Sequence, residues 1–188
     1  MRPTFKAPSY SGKECHRYVE RLIKEGKSLL IVSPYIDSYY AKFLLANSRG
    51  KTIRVLSSSI DSRAKSLLTK GKFPTGMALF AVWVLLLDVL LYLLGLFGYA
   101  IYASALLAML LILLLLSLGK RPKNIALKIP GEFVHAKMYL SEGRAINGSA
   151  NLTYSGMHKN VEHIEIIEDE TQRRELEAQF WKIWNSYS

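Results

Sequence analysis

The sequence HAKMYLSEGRAINGSAN, from His135 to Asn151, combines a histidine, a nearby lysine and a small, polar ending. On an extended strand, side chains two residues apart point to the same face, so His135 and Lys137 are predicted to act together. The Glu-Gly pair within SEGR is typical of a turn and predicts a hairpin of two strands. Pairing across this hairpin would bring the GSAN end back beside His135.

An imidazole beside a fixed ammonium suits chemistry at a phosphate. The lysine can hold a non-bridging oxygen while the histidine works on the phosphorus atom. Ser149 and Asn151 are expected at the start of a helix, where polar side chains and backbone N–H groups bind phosphate. Glu162 lies just before the next predicted strand, and its carboxylate is expected to orient the imidazole and to fix its tautomer.

Other candidate residues carry weaker signals. Three further histidines have no acid or cysteine at metal-ligand spacing: His16, His158 and His163. Cys15 is the only cysteine, which excludes a disulfide within this chain and a cysteine-based zinc site. Tyr35, at a strand end, either lines the site or packs in the core. Aromatic and basic residues do not alternate near His135, so we expect no platform for base stacking and little sequence preference.

A second feature is an apolar block, from Met77 to Leu118, in which Asp88 is the single charged residue. As helices, residues 77–94 and 97–118 are each long enough to cross the roughly 30 Å hydrocarbon layer of a bilayer. We therefore expect a transmembrane helical hairpin over residues 75–119. A buried helical pair in a soluble core is the alternative.

Asp88 would be costly in lipid and should therefore have a partner. Counting back from the turn of the hairpin places it level with Ser104. A hydrogen bond between these two side chains is expected to tie the helices together.

The charge of the chain is strongly positive, at +10, and all 25 lysines and arginines lie outside the apolar block. Several flank it: Arg63, Lys65, Lys70 and Lys72 before it, and Lys120, Arg121, Lys123 and Lys128 after it. The turn has no charge, so the positive-inside rule predicts a two-pass protein of the cell membrane with both termini and the catalytic part in the cytoplasm. This excess of basic residues suits binding to a polyanion, either nucleic acid or an anionic lipid surface. The alternative is that the charge serves only to keep the protein soluble.

Strand-like and helix-like segments alternate in the rest of the chain. Strands are predicted at 28–33, 52–57, 125–129, 134–140, 144–147 and 163–167, and helices at 14–25, at about 38–47, after Asp61 and after Asp169. This alternation favours an α/β sandwich around one sheet. The predicted divisions are a flexible N-terminal tail (1–13), a first part of the domain (14–74), the hairpin (75–119) and a second part (120–188).

The motif residues have a recognisable order. His135-x-Lys137, the acidic Glu142, Gly148-Ser149-x-Asn151 and Glu162 together resemble the HKD motif of the phospholipase D superfamily. Three flanking segments are also similar to members: SPYID (33–37), NLTYSG (151–156) and NVEHIEII (160–167). The resemblance covers nearly all of the chain outside the hairpin. One departure is the glutamate at position 142, where the family usually has aspartate.

The resemblance implies a fold and a set of roles. The fold is a phospholipase D-like α/β/α sandwich around a mixed sheet. His135, Lys137 and Glu162 would be catalytic, Ser149 and Asn151 would bind substrate, and the motif acid Glu142 would be structural. No metal and no cofactor would be needed, because the cations are built into the site.

The resemblance also implies a homodimer. Full-length members of the family carry two motifs that meet in one site, whereas the small bacterial endonucleases and the mitochondrial cardiolipin hydrolase-like members carry one and form homodimers. A twofold axis supplies the missing half. One His135 would attack phosphorus and form a phosphohistidine, while the other would protonate the leaving oxygen and then activate water.

The substrate stays open at this level. A nuclease is our first hypothesis, because binding to a nucleic-acid backbone needs cations and a phosphate pocket. A phospholipase D or cardiolipin hydrolase-type enzyme acting on anionic phospholipids is the alternative, favoured by the expected anchor in the lipid bilayer. A catalytically inactive membrane scaffold is the third hypothesis.

Overall fold

The computed structural model describes residues 8–70, 75–118 and 124–187. The elements, in chain order, are β1 (Ser9–Gly12), α1 (His16–Glu25), β2 (Ser28–Val32), β3 (Tyr35–Ile36), α2 (Ser38–Ala46), β4 (Thr52–Leu56), β5 (Ser59–Ile60), α3 (Ser62–Lys70), α4 (Thr75–Leu93), α5 (Phe97–Leu118), β6 (Ile125–Lys128), β7 (Met138–Leu140), β8 (Ala145–Gly148), α6 (Tyr154–His158), β9 (Glu162–Ile167) and α7 (Glu170–Ser186). They form two compact units, Lys70–Arg121 and the remainder of the chain.

The larger unit is built on a mixed sheet, whose described strands follow the order β1-β9-β8-β7-β2-β4-β6. β2 and β4 lie parallel, with Ile31 opposite Val55, and β6 extends the parallel part. On the other side of β2, the strands β7, β8, β9 and β1 are antiparallel to their neighbours. Because helices cover both faces of β2, its side chains on both faces must be apolar. This explains the unbroken run of apolar residues, LLIV, in the strand.

Helices cover both faces of this sheet. Leu29 and Ile31 of β2 belong to a core that includes α1, α2 and α3, whereas Leu30 and Val32 belong to a second core with α7. Phe180 is the fully buried residue that α7 contributes to the second core. The predicted α/β/α sandwich around a mixed sheet is confirmed.

The starts of three helices follow from aspartates in the sequence. Asp37, Asp61 and Asp169 each accept a hydrogen bond from the backbone N–H three residues later, at 3.0, 2.7 and 2.9 Å respectively. Each contact satisfies one of the N–H groups that a helix start leaves without a partner inside the helix.

Two expectations change at the level of single elements. Residues 9–12, expected in a flexible tail, form β1 and pair with β9 because the backbone groups at that sheet edge need partners. Residues 1–7 of the expected tail lie outside the described residues. The strand expected from residue 134 begins at Met138, so His135 and Lys137 lie in the segment that leads into β7.

The smaller unit is a pair of helices, α4 and α5, joined by a short turn. Gly95 in this turn has a φ of 75°, a left-handed conformation that glycine adopts without strain. The two helices pack through Ala81, Val84 and Leu110. The Ser104 hydroxyl donates a hydrogen bond to Asp88 Oδ2 at 2.7 Å, which is the contact predicted from the sequence.

A membrane span needs about 20 consecutive and predominantly apolar residues. Among the residues that the structure describes, no helix is long and apolar enough to meet this requirement. The prediction of a transmembrane hairpin over residues 75–119 is therefore not supported, although two helices form where the apolar block predicts them. Part of the flanking charge lies outside the described residues, namely Lys72, Lys120, Arg121 and Lys123. The cytoplasmic location stays a prediction.

Replacing Gly148 by alanine should destabilise the larger unit. A Cβ atom at this position would meet the backbone of β9, at the His163 carbonyl oxygen and at 2.8 Å from the Ile164 Cα. Backbone cannot rotate away as a side chain can, so we expect a loss of about 1–3 kcal/mol in the free energy of unfolding. Urea denaturation monitored by circular dichroism measures it.

The matched control is Gly143→Ala, because a Cβ atom there has no atom within 4 Å among its neighbours. This variant should unfold within about 0.5 kcal/mol of the unmodified protein. Equal midpoints for the two variants would contradict the close packing of β8 on β9.

Candidate active site

His135 and Lys137 lie in a segment whose backbone is anchored on both sides. The Val134 N–H donates to Ser58 Oγ at 2.7 Å, and this hydroxyl donates to the Val134 carbonyl at 3.3 Å. On the other side, the Gly148 N–H donates to the Lys137 carbonyl at 3.3 Å. The histidine is thereby held at the end of the β7–β8 hairpin, close to where the GSAN segment returns.

The two side chains contact each other and differ in exposure. Lys137 Nζ lies 3.0 Å from His135 Nε2 and 3.2 Å from Nδ1, and it donates to the His135 carbonyl at 2.9 Å. Lys137 is only 5% exposed, whereas His135 is exposed. Burial lowers the pKa of Lys137, and the negative charge of Glu162 acts in the opposite direction. A buried ammonium held against an open imidazole is arranged to meet an anion.

Glu162 is the first residue of β9, and neighbouring side chains hold its carboxylate. Ser149 Oγ donates to Glu162 Oε2, and Asn160 Nδ2 donates to Oε1 at 3.1 Å. Ser149 Oγ also accepts the His163 N–H at 3.0 Å. Ser149 therefore connects the end of β8 with the start of β9 and sets the position of the carboxylate.

The expected contact between Glu162 and the imidazole is not formed. In the described ranges, no hydrogen bond joins Glu162 to His135, and the carboxylate oxygens accept from Ser149 and Asn160. The carboxylate acts instead through its charge, which raises the pKa of Lys137 against the effect of burial. The structure thus brings together two pairs, His135 with Lys137 and Ser149 with Glu162.

Asn151 has a side-chain oxygen that is buried and has no hydrogen-bond partner in the described part of the chain. A buried polar atom without a partner is costly, and it is a common sign of a binding site. Rotation of the amide by half a turn exchanges its oxygen and nitrogen, so the side chain can place either an acceptor or a donor at this position.

The helix expected to begin at Ser149 and Asn151 begins later. It is α6, which starts at Tyr154, and Thr153 caps it by accepting the Gly156 N–H at 3.1 Å. The reason is that Thr153 has the extended backbone of a helix cap, whereas Ser149 is hydrogen-bonded to β9. Ser149 and Asn151 therefore contribute side chains rather than a helix terminus.

Two residues of the SPYID segment lock the loop that carries Asn151. Ser33 Oγ accepts the Leu152 N–H at 2.9 Å, and Asp37 Oδ2 accepts the Tyr154 N–H at 2.6 Å. These partners are 119 and 117 positions apart in the sequence. The sequence marks SPYID only by its resemblance to the family, and the folded chain gives Ser33 and Asp37 a positioning role.

Glu142 lies in the turn between β7 and β8 and contacts the start of β2. Its Oε1 accepts the Lys27 N–H at 2.8 Å, and its Oε2 accepts the Ser28 N–H at 3.2 Å. Partial burial raises the pKa of Glu142, but hydrogen bonds from backbone N–H groups outweigh this effect and lower it overall. Its contacts are structural ones, of the kind that the resemblance implies for this position.

One exposed aromatic ring lies beside the imidazole, and a second lies against the first. Phe133 is 56% exposed, and its ring centroid lies 6.0 Å from that of His135. Tyr35 is 44% exposed, and its centroid lies 5.7 Å from that of Phe133. Aromatic and basic residues do not alternate in the sequence near His135, but folding brings Tyr35, from a distant part of the sequence, against Phe133. The spacing Phe-x-His-x-Lys was the available signal for Phe133.

The remaining histidines make other contacts. The rings of His16 and His158 stack at 4.1 Å, and His158 Nε2 lies 3.2 Å from the Tyr40 hydroxyl. Burial and the neighbouring His16 lower the pKa of His158. His163 Nδ1 lies 2.7 Å from Ser11 Oγ. Across the described ranges, no group of three or more histidine, cysteine, aspartate or glutamate residues is placed to hold a metal ion.

One family model matches most of the chain. The model described as "Cardiolipin synthase, PLD-like domain" matches residues 19–184, which include both sides of the helical pair. No curated protein matches the chain.

Solved structures share the fold at low sequence identity. Nuc from Salmonella typhimurium, a phospholipase D family member, aligns with a TM-score of 0.54 and 16% identity over 96% of both chains. NucT from Helicobacter pylori aligns with a TM-score of 0.57 and 13% identity over 97% of both chains. An archaeal chromatin protein, described as showing a novel mode of DNA binding, aligns with a TM-score of 0.50 and 12% identity over 100% of this chain and 55% of its own.

Replacing Glu142 by glutamine should lower the free energy of unfolding by about 1 kcal/mol at neutral pH, because a charged acceptor of two N–H groups becomes neutral. The pKa of Glu142 is lowered by folding, so its stabilising effect is present above the pKa of the unfolded chain and is lost as pH falls through the folded value. The difference between the two proteins should therefore shrink on acidification. Urea denaturation at a series of pH values measures it.

The control is Glu168→Gln, which removes a carboxylate paired with Arg144 at 2.9 Å on the surface. Exposed ion pairs contribute little, so this variant should stay close to the unmodified protein at every pH. A Glu142→Gln variant that is as stable as this control would rule out the structural role of the carboxylate.

Proposed function

The chain belongs to the family of the cardiolipin synthase, PLD-like domain, and from this premise we propose that it is a metal-independent phosphodiesterase. The reaction would pass through a phosphohistidine intermediate in a site shared by two copies of the chain. The observation that carries the proposal is the exposed His135 imidazole, with the buried Lys137 ammonium 3.0 Å from Nε2. A phosphodiester placed there would meet a nucleophile and a fixed cation together.

The homodimer follows from the chemistry of one imidazole. During attack, the histidine that bonds to phosphorus must be unprotonated, while the leaving oxygen needs a proton from another group. Each chain carries one motif histidine, and His135 is exposed, so a second copy can approach it. A twofold axis through the site would place the two imidazoles on opposite sides of the phosphate.

The reaction would proceed in two displacements. In the first, a ring nitrogen of one His135 forms a bond to phosphorus as the bond to the leaving oxygen breaks, and the second copy's His135 gives its proton to that oxygen. In the second, water attacks the phosphohistidine, its proton passes to the second copy's His135, and the phosphorus–nitrogen bond breaks. Both imidazoles return to their starting states.

The other site residues would hold the phosphate and its charge. Lys137, and its copy across the axis, would neutralise the non-bridging oxygens, and the Asn151 amide would donate to one of them. Ser149 and Glu162 would act in support, because their hydrogen bond sets the negative charge that faces Lys137.

Nucleic acid is the substrate that we propose first. The net charge of +10 supports it, because lysine and arginine side chains neutralise a phosphate backbone and release its counterions. An anionic phospholipid is the second candidate. The description of the family as cardiolipin synthase and the exposed apolar residues of α4 and α5 favour it. An inactive scaffold is disfavoured, because the motif side chains that the chemistry needs are all present.

The direct test offers purified protein single-stranded DNA, RNA, duplex DNA and cardiolipin vesicles in parallel, with and without EDTA. We expect cleavage of nucleic acid that survives the chelator, and a loss of about 10³-fold or more in His135→Ala. Turnover of cardiolipin alone would transfer the assignment to the second candidate, and loss of turnover with EDTA alone would contradict the metal-independent mechanism.

A mixing experiment tests whether two chains share a site. Unmodified and His135→Ala chains are refolded together at fixed ratios, so that dimers form at random. If each site needs both imidazoles, only dimers of two unmodified chains work, and an equal mixture keeps about a quarter of the activity. A site complete in one chain would keep about half, so activity proportional to the unmodified fraction would exclude the shared site.

A further inference from the structure

Tyr35 and Phe133 form an exposed aromatic surface, here called the aromatic shelf, beside the imidazole. Their rings meet at 54°, and the Phe133 ring meets that of His135 at 37°, so the rings do not cover one another's faces. Both residues keep about half of their surface accessible, at 44% and 56%. Large apolar rings left open next to reactive groups are available to a ligand.

We propose that the aromatic shelf stacks an unpaired base next to the phosphate held at His135, so that the substrate is single-stranded nucleic acid. This inference rests on the proposed function and names the form of its substrate. In a single strand each phosphate is joined through one sugar to a base whose ring face is open. In a duplex the same face is covered by neighbouring bases, and stacking on the shelf would first require unstacking.

The shelf is held in place before a ligand arrives. Tyr35 lies in β3, and its carbonyl accepts a hydrogen bond from Ser33 Oγ at 2.8 Å. Phe133 precedes Val134, whose N–H and carbonyl both bond to Ser58. Rings on anchored backbone lose little conformational freedom on binding, which favours a stacking role.

The exposed apolar surface of the larger unit is rich in rings on which a base can stack. In the described part of the larger unit, the exposed large hydrophobic residues are Tyr35, Tyr39, Ile129, Phe133, Tyr154 and Val161. Four of these six are aromatic, and aromatic ring faces are the surfaces on which bases stack. The buried Lys137 beside the shelf supplies the charge that a neighbouring phosphate requires.

The experiment compares two single strands of equal length, one with normal bases and one with abasic residues, as substrates and as ligands. For the unmodified protein we expect kcat/KM and affinity to be roughly 5- to 150-fold higher on the strand with bases, the range that one stacked base accounts for. Phe133→Leu keeps an apolar side chain without a π face and should bring this ratio close to one. Phe133→Trp and Tyr35→Phe keep a ring and should preserve the ratio.

The control for general surface effects is Val161→Ala, because Val161 is 72% exposed and lies outside the shelf. It should leave both activity and ratio unchanged. Three results would overturn the inference: a ratio near one in the unmodified protein, a ratio that Phe133→Leu does not change, or duplex cleaved as well as single strand.

Two further measurements separate the alternatives. If light scattering shows that Phe133→Leu dissociates the dimer, the shelf is an interface between copies and the inference is wrong. If the variant lowers only the hydrolysis of cardiolipin vesicles, the rings contact acyl chains and the inference is also wrong. If no strand is cleaved but binding shows the base-dependent ratio and its loss in Phe133→Leu, the shelf is supported and the proposed nuclease activity fails.

Discussion

The antiparallel packing of β8 between β7 and β9 is the constraint on which the site depends. Gly148 approaches the backbone of β9 so closely that a single added carbon would meet main-chain atoms, and its N–H binds the Lys137 carbonyl. Because these strands run side by side, Lys137, Ser149 and Glu162 come from three separate segments and reach the same end of the sheet. The proposed phosphate site therefore depends on this close packing of strands.

The electrostatics of the site follow from how deeply each group is placed. Lys137 is buried, and burial lowers its pKa, an effect that the negative charge of Glu162 on β9 opposes only in part. His135 is left exposed at the same point. The ammonium group is therefore fixed and the imidazole is accessible. This arrangement suits the proposed reaction, in which a fixed cation stabilises negative charge while bonds form and break at the imidazole nitrogen. The SPYID and NLTYSG segments complete this arrangement, since Ser33 and Asp37 hold the loop of Asn151 by its backbone.

The helical pair follows a different logic from the α/β unit. Few of its side chains are buried between the helices, and Ser104 joins the two helices through a hydrogen bond to Asp88. Most of its large side chains point outward, with Tyr102 77% exposed and Leu93 75% exposed. Apolarity and length predict two helices at these positions, and the helices form.

Local pattern was sufficient for much of this protein. Buried strands such as β2, the caps at Asp37, Asp61 and Asp169, the turn at Gly95 and the Ser104–Asp88 contact all depend on residues close in sequence or on helical geometry. The pairing of His135 with Lys137 and the membership of the family also follow from spacing and order. Other features needed the folded chain: the edge strand at 9–12, the engagement of Glu162 by Ser149 and Asn160, the late start of α6, and the meeting of Tyr35 with Phe133. Each of these is a competition among partners for one hydrogen bond or one surface, and only the three-dimensional arrangement decides which partner is nearest.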